Sequence, residues 1–245
     1  MDKAINAAII TFFMSNIDLK TVEYNKKVVE KFNVSKYPHY LVNTTLNHGA
    51  SMDLAWTMNG QLVKTFEGHK VPKKWDHDVL MFLDVDCLPL NQDAIDCFIK
   101  EASEGKLVGN IQRSNHIQNN QHVFAAPNAI AIHKDVFEKI GRPSAIPTQR
   151  ADVAEEYTYA AEQHGVGVRM FYPLGFEEAP AECPSWPLAD GMPHYGRGTT
   201  FGFTKSCPFA PWDHADMPLF WHQFQSFHPG QQAKFWKKAQ SLLDS

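Results

Sequence analysis

DVLMFLDVDCLP, residues 78–89, is the stretch from which the fold of this 245-residue chain can be read. Val79, Leu80, Met81, Phe82 and Leu83 form an unbroken apolar run, the pattern of a strand buried on both faces of a parallel sheet. The run stops at Asp84-Val85-Asp86. On an extended backbone the i, i+2 spacing sends both carboxylates to the same side. Ligands of open α/β sheets bind beyond the carboxyl ends of the strands, where these two acids fall. Two uncompensated carboxylates beside an apolar run are costly, and a hard divalent cation is the usual remedy. The pair is a candidate metal site facing a diphosphate. The plainer alternative is two solvated acids in a turn closed by Pro89.

Upstream, residues 7–14 (AAIITFFM) read as a buried strand. Ser15-Asn16-Ile17-Asp18 supplies N-cap chemistry for a helix over 19–32, with Val22, Val28, Val29 and Phe32 on its apolar face. A short strand at 40–42, a polar loop to Gly49 and an amphipathic helix over 50–58 complete a β-α-β-α opening, the start of a doubly wound sheet. Downstream, a helix over 91–104 ends at Gly105, and strand-like segments follow at 107–111 and 123–132. Pro127-Asn128 interrupts the second of these and predicts a bulge or an edge. Residues 113–121 form a polar loop. A helix over 134–140 is stopped by Gly141 and Pro143. The segment 151–164 (ADVAEEYTYAAEQH) is helical with Gly165 behind it, and its acids Asp152, Glu155 and Glu156 crowd the end that favours anions. A strand at 168–172, an irregular excursion over 173–190 and a strand within 194–203 precede a helical, aromatic-rich tail over 213–243.

Composition narrows the class. The chain is 44% hydrophobic and 20% charged, an ordinary globular balance. A formal charge of −4 without a long basic run argues against nucleic-acid partners. Cys87, Cys97, Cys183 and Cys207 contain no CxxC pair and predict reduced thiols in a cytoplasmic protein. The apolar run near the N-terminus lacks a small-residue cleavage site, so it reads as a strand and not a signal peptide. No apolar stretch is long enough to predict a transmembrane segment.

The order of these elements, with FLDVD (Phe82 to Asp86) at its centre, resembles the small metal-dependent glycosyltransferases of the GT-A fold, which use nucleotide-sugar donors. The resemblance spans residues 7–203, and FLDVD matches the family's DxD motif. AIAIHKDVFEKIG (129–141) is similar to the family's strand followed by a helix. The acidic helix ending at Gly165 stands where the family places its catalytic or acceptor-orienting acid. His194, in HYGRG, stands where many members carry a late histidine that completes the metal shell. The chain departs from the family in having Asp152 with Glu155-Glu156 in place of the usual Glu-Asp pair, and in lacking an Arg-Asn ahead of the DxD strand.

The resemblance implies a GT-A-like (Rossmann-like) α/β fold: a mixed, mostly parallel sheet flanked by helices, with an irregular aromatic-rich C-terminal region. It implies one catalytic domain over 1–245, with a nucleotide-binding half at 1–112, an acceptor half at 113–203 and a helical tail at 204–245. Asp86, His194 and Asp84 would hold Mn²⁺ or Mg²⁺, with Asp84 alternatively contacting the ribose; a histidine ligand favours Mn²⁺. Thr11, Phe12, Phe13 and Met14 at the first strand end, with Asn43, Asp53 and Arg197, would bind a UDP-sugar donor. An inverting transfer to a carbohydrate or glycan acceptor needs a base from Asp152, Glu155 or Glu156; a retaining one does not.

The bland readings differ by residue. The apolar residues of the first strand can be plain core, the three acids can simply favour a helix N-terminus, and Arg197 between Gly196 and Gly198 can be a solvated turn residue. His214, Asp216, His222 and His228 lie among aromatics, where packing or acceptor stacking is commoner than ligation. Trp186, Trp212 and Trp221 are candidate sugar platforms, and Cys87 reads as a small hydrophobe. Other functions fit less well. A nucleotidyltransferase would be expected to show a glycine-rich phosphate loop after the first strand, where this chain reads FFMSNIDL. A non-catalytic carbohydrate- or nucleotide-binding module has no need of Asp84, Asp86 and the acidic helix together. A metal hydrolase built on Asp76-His77 and Asp213-His214 lacks the spacing such sites use.

Overall fold

A computed structural model of the chain describes residues 4–57, 64–65, 76–114, 122–178, 197–203, 216–224 and 226–245. β1 (Ala7–Met14) leads to α1 (Leu19–Phe32), where the Asp18 side chain accepts from the Lys20 N–H at 2.8 Å and caps the helix. Then come β2 (His39–Thr44), α2 (His48–Thr57) and the short β3 (Lys64–Thr65). β4 (Val79–Leu83) is buried at all five residues. Its side chains alternate between two cores: Leu80 and Phe82 pack with Ile10, Ile130 and Tyr157, while Val79, Met81 and Leu83 pack with Ile9, Phe98, Phe171 and Phe220. That double burial is why the run carries no polar residue.

β5 (Cys87–Pro89), α3 (Asp93–Ser103), β6 (Leu107–Arg113), β7 (Val123–His133) and α4 (Lys134–Lys139) follow. The chain continues through α5 (Glu155–Gln163), β8 (Val168–Gly175), β9 (Thr199–Phe203), β10 (Met217–His222) and α6 (Pro229–Asp244). The ten described strands lie in the order β3-β2-β1-β4-β7-β6-β8-β9-β10-β5. The sheet is mixed and not mostly parallel. Among the described strands, β1–β2, β1–β4 and β6–β8 pair in parallel and the other six pairings are antiparallel. Connection length explains one of these: residues 114–122 between β6 and β7 are too few for a parallel crossover, so β7 returns antiparallel to β6.

The tail departs most from expectation. Part of the predicted helical stretch is β10, paired antiparallel to β9 and β5. Pro218 cannot sit inside a helix, and here it lies beside an irregularity in the β9 pairing. The helix begins only at Pro229, where a missing N–H costs nothing. α6 packs Phe235 and Ala239 against Val28, Phe32, Leu88 and Trp221, a third core beneath α1. No described helix is long and apolar enough to cross a membrane.

Candidate metal centre

The acids sit on a tight turn and not on an extended strand: the Cys87 N–H donates to the Asp84 carbonyl at 3.0 Å. The Asp84 N–H donates to the Asn128 carbonyl at 2.9 Å, tying the turn to β7. From α1, the buried Asn25 amide donates to the carbonyls of Asp84 (3.3 Å) and Cys87 (3.2 Å). Val85 drops into a small core with Phe13, Val22 and Leu41. With the intervening residue anchored below, both carboxylates are left at the surface of the turn.

β10 then brings the third group. Its register sets His222 opposite Cys87, one residue beyond Asp86. His222 Nε2 lies 3.3 Å from Asp86 Oδ1 and 3.7 Å from Asp84 Oδ2. One ligand atom from each of Asp84, Asp86 and His222 falls within 4.8 Å of the other two. Octahedral bonds of about 2.1 Å set neighbouring ligand atoms about 3 Å apart, so the set closes on an ion with small adjustments. Two carboxylates and an imidazole suit Mn²⁺, and Mg²⁺ less well. His48, the first residue of α2, places Nε2 3.2 Å from Asp84 Oδ1 on the other side.

The electrostatics agree with a site short of positive charge. Burial pushes the Asp84 carboxyl above the usual range, with Asp86 adding to the rise and His48 and His222 opposing it. Burial acts the same way on Asp86, but His222 and Ser226, through its hydroxyl and its N–H, outweigh it and hold that carboxyl low. Burial depresses His222, yet the two acids win and raise it. Burial, with both acids, pushes the Cys87 thiol well above its ordinary value, so this cysteine is an inert hydrophobe.

The three groups border a cleft of about 350 Å³. Phe12, Phe13, Met14, Ile17, Leu46, Phe224 and Phe227 give it an apolar lining, and Asp152 and Val153, just ahead of α5, border it as well. Of the expected donor-binding residues, Phe12 and Phe13 line this cleft. Thr11 does not: it is buried, with Oγ1 3.0 Å from His39 Nε2. Asp53 turns away to accept from the Ala145 N–H at 2.7 Å, stapling the loop ahead of α5. Arg197 sits with Glu178 at 3.7 Å and is not among the described lining residues.

The three acids of the α5 region separate. Asp152 reaches the cleft. Glu155 is fully buried and accepts from Ser114 Oγ (2.8 Å) and the Asp152 N–H (2.6 Å), with His122 Nδ1 at 2.6 Å. Glu156 points to Arg150, whose Nε donates at 2.8 Å. His194, Trp186, Trp212 and His214 lie outside the described residues. Trp221 is 1% exposed in the α6 core, so it cannot be a sugar platform. His222, read from sequence as a packing or stacking residue, is the histidine that joins the acids. The signal for it was Pro218 in front of an apolar run that ends at His222, a strand pattern with a ligand-type residue at its tip.

No family model and no curated relative matches the sequence. Solved structures similar to it include the Drosophila β1,4-galactosyltransferase 7 catalytic domain in complex with xylobiose. That match has 11% identity and a TM-score of 0.43, and it covers 68% of this chain and 64% of that one. A second structure of the Drosophila enzyme, a mutant with manganese, UDP-Gal and xylobiose, matches at 11% identity and a TM-score of 0.40, covering 66% of this chain and 64% of that one. The galactosyltransferase LgtC, in complex with donor and acceptor sugar analogs, is similar at 11% identity and a TM-score of 0.46 over 97% of this chain and 95% of that one.

Proposed function

We propose that this chain is a metal-dependent glycosyltransferase of the GT-A kind that moves a sugar from a UDP-sugar to a carbohydrate hydroxyl with inversion. The observation that supports it is the Asp84–Asp86–His222 cluster at the edge of a cleft with an apolar wall. Asp84, Asp86 and His222 would hold Mn²⁺ or Mg²⁺, and such an ion supplies charge neutralisation for a nucleoside diphosphate. Phe12, Phe13 and Met14 offer apolar surface for the base and exclude water from it. Phe224 and Phe227, which also line the cleft, offer flat faces to an acceptor sugar. Asp152 would take the acceptor hydroxyl proton on its carboxylate. Glu155, accepting from the Asp152 N–H, holds that residue in place.

On this reading residues 1–245 form one catalytic domain, and the tail beyond 204 belongs to the active site because it carries His222. The test is calorimetric titration of UDP with and without Mn²⁺, on the wild type and Asp86→Ala. Binding tightened by Mn²⁺ in the wild type and indifferent to it in the variant is expected. UDP affinity unmoved by Mn²⁺ and by chelator in the wild type would refute the proposal.

A further inference from the structure

His222 is met from behind by one buried amide, Asn128, which a second, Asn110, backs in turn. Asn128 lies where β7 breaks register with β6: Gly109 faces Ile130, yet the next residue, Asn110, faces Ala126. A Cβ on Gly109 would fall 2.8 Å from Ala125 Cβ and 3.2 Å from the Ala129 carbonyl oxygen, so glycine lets the bulge close on β6. Bulges re-aim side chains, and this one turns Asn128 inward, 3% exposed. Its Nδ2 lies 3.3 Å from His222 Nδ1, and its Oδ1 accepts from Asn110 Nδ2 at 3.0 Å. Asn110 is fully buried, and its own Oδ1 has no partner.

The orientation of this chain of amides decides what His222 can do. A ring nitrogen that ligates a cation must present its lone pair, so the bound imidazole is neutral, having given up one proton, and keeps the other on its far nitrogen. With Asn128 Nδ2 facing Nδ1, the proton is driven to Nε2, where it points at Asp86 and blocks ligation. If both amides turn end for end, the same positions serve the opposite state. Nδ1–H then donates to Asn128 Oδ1, Asn128 Nδ2 donates to Asn110 Oδ1, and Nε2 is free to bind. Hydrogen-bond partners behind a ligating histidine set its tautomer in this way.

We infer that Asn128, backed by Asn110, is a positioning pair that fixes the His222 tautomer and turns over when a divalent cation is taken up. The inference rests on the metal reading above and adds two residues behind the ligand set, of which Asn128 also borders the cleft.

The test combines long-range ¹H–¹⁵N spectra of histidine-labelled wild type, with and without diamagnetic Zn²⁺, and Mn²⁺ calorimetry on the wild type, Asn128→Leu and Asn110→Ala. His222→Gln assigns the resonance. Zn²⁺ is expected to leave the His222 proton on Nδ1, and Asn128→Leu to bind Mn²⁺ about 10- to 100-fold more weakly with unchanged circular dichroism. Asn110→Ala falls between them. A proton on Nε2 in the Zn²⁺-loaded wild type overturns the inference, and this result needs no variant to fold. So does a folded Asn128→Leu that binds Mn²⁺ within about twofold of the wild type. A wild type that takes up neither ion overturns the metal reading itself, a different and recognisable outcome.

Discussion

Asp152 and Glu155 stand three residues apart and face opposite fates. Glu155 is sealed among an oxygen donor, a backbone N–H and an imidazole, while Asp152 borders the cleft. Asp152→Asn is expected to lower glycosyl transfer by about 10²- to 10⁴-fold, the usual worth of a general base, with Mn²⁺ affinity unchanged by calorimetry. A variant of near-normal turnover would remove Asp152 from the chemistry. A second residue governs stability. Burial depresses His39 to about 3, so between there and its ordinary value near 6.5 the unfolded chain binds a proton that the native chain refuses. Stability is present above the ordinary value and is lost as pH falls through that window, by up to about 1.4 kcal/mol per pH unit. Urea melts at pH 6.5 and 5.5 should show that loss in the wild type and less of it in His39→Gln; equal slopes would exclude His39 as the source. The acid pair was legible in sequence because it lies two residues apart behind an apolar run. His222 was legible only as the tip of a strand pattern behind Pro218; that it meets the pair is set by a register between distant strands, which local spacing does not carry.

At the level of elements, what positions His222 is a close approach of β9 and β10. A Cβ on Gly202 would lie 2.0 Å from the Met217 carbonyl oxygen, a backbone atom that cannot yield as a side chain would. Gly202→Ala is expected to lower stability by about 1–3 kcal/mol, the range for overpacking, and to weaken Mn²⁺ uptake by shifting β10. Denaturant melts and calorimetry check both; an unchanged midpoint would mean that the strands separate at no cost. The same pair of strands marks the limit of pattern reading. α1 has the predicted bounds because capping and apolar spacing are local. Aromatic-rich residues around Pro218 read as helix when taken with the true helix after Pro229. Only pairing with β9 and β5, a long-range fact, makes them a strand.

Across the whole molecule, the candidate metal centre is braced by the C-terminal helix although none of its described side chains lines the cleft. Leu88 of β5 and Trp221 of β10 flank the ligating turn and His222, and both pack on Phe235 of α6. Lys31 of α1 donates to the carbonyls of Leu242 (2.8 Å) and Leu243 (3.2 Å), closing the far end of α6. Truncating a buried phenylalanine costs about 3–5 kcal/mol wherever it sits, so stability alone cannot reveal the brace. The comparison is Phe137→Ala, in the opposite core, where the ring stacks on Trp56 at 4.1 Å. Both variants should lose similar stability in denaturant melts. Under conditions where both remain folded, Phe235→Ala should bind Mn²⁺ several-fold more weakly than Phe137→Ala, because it frees the strand that carries His222 as well as the strand that follows Asp86. Equal affinities would show that the turn and β10 hold the ligands without help from α6. The helix would then stabilise the fold without shaping the site.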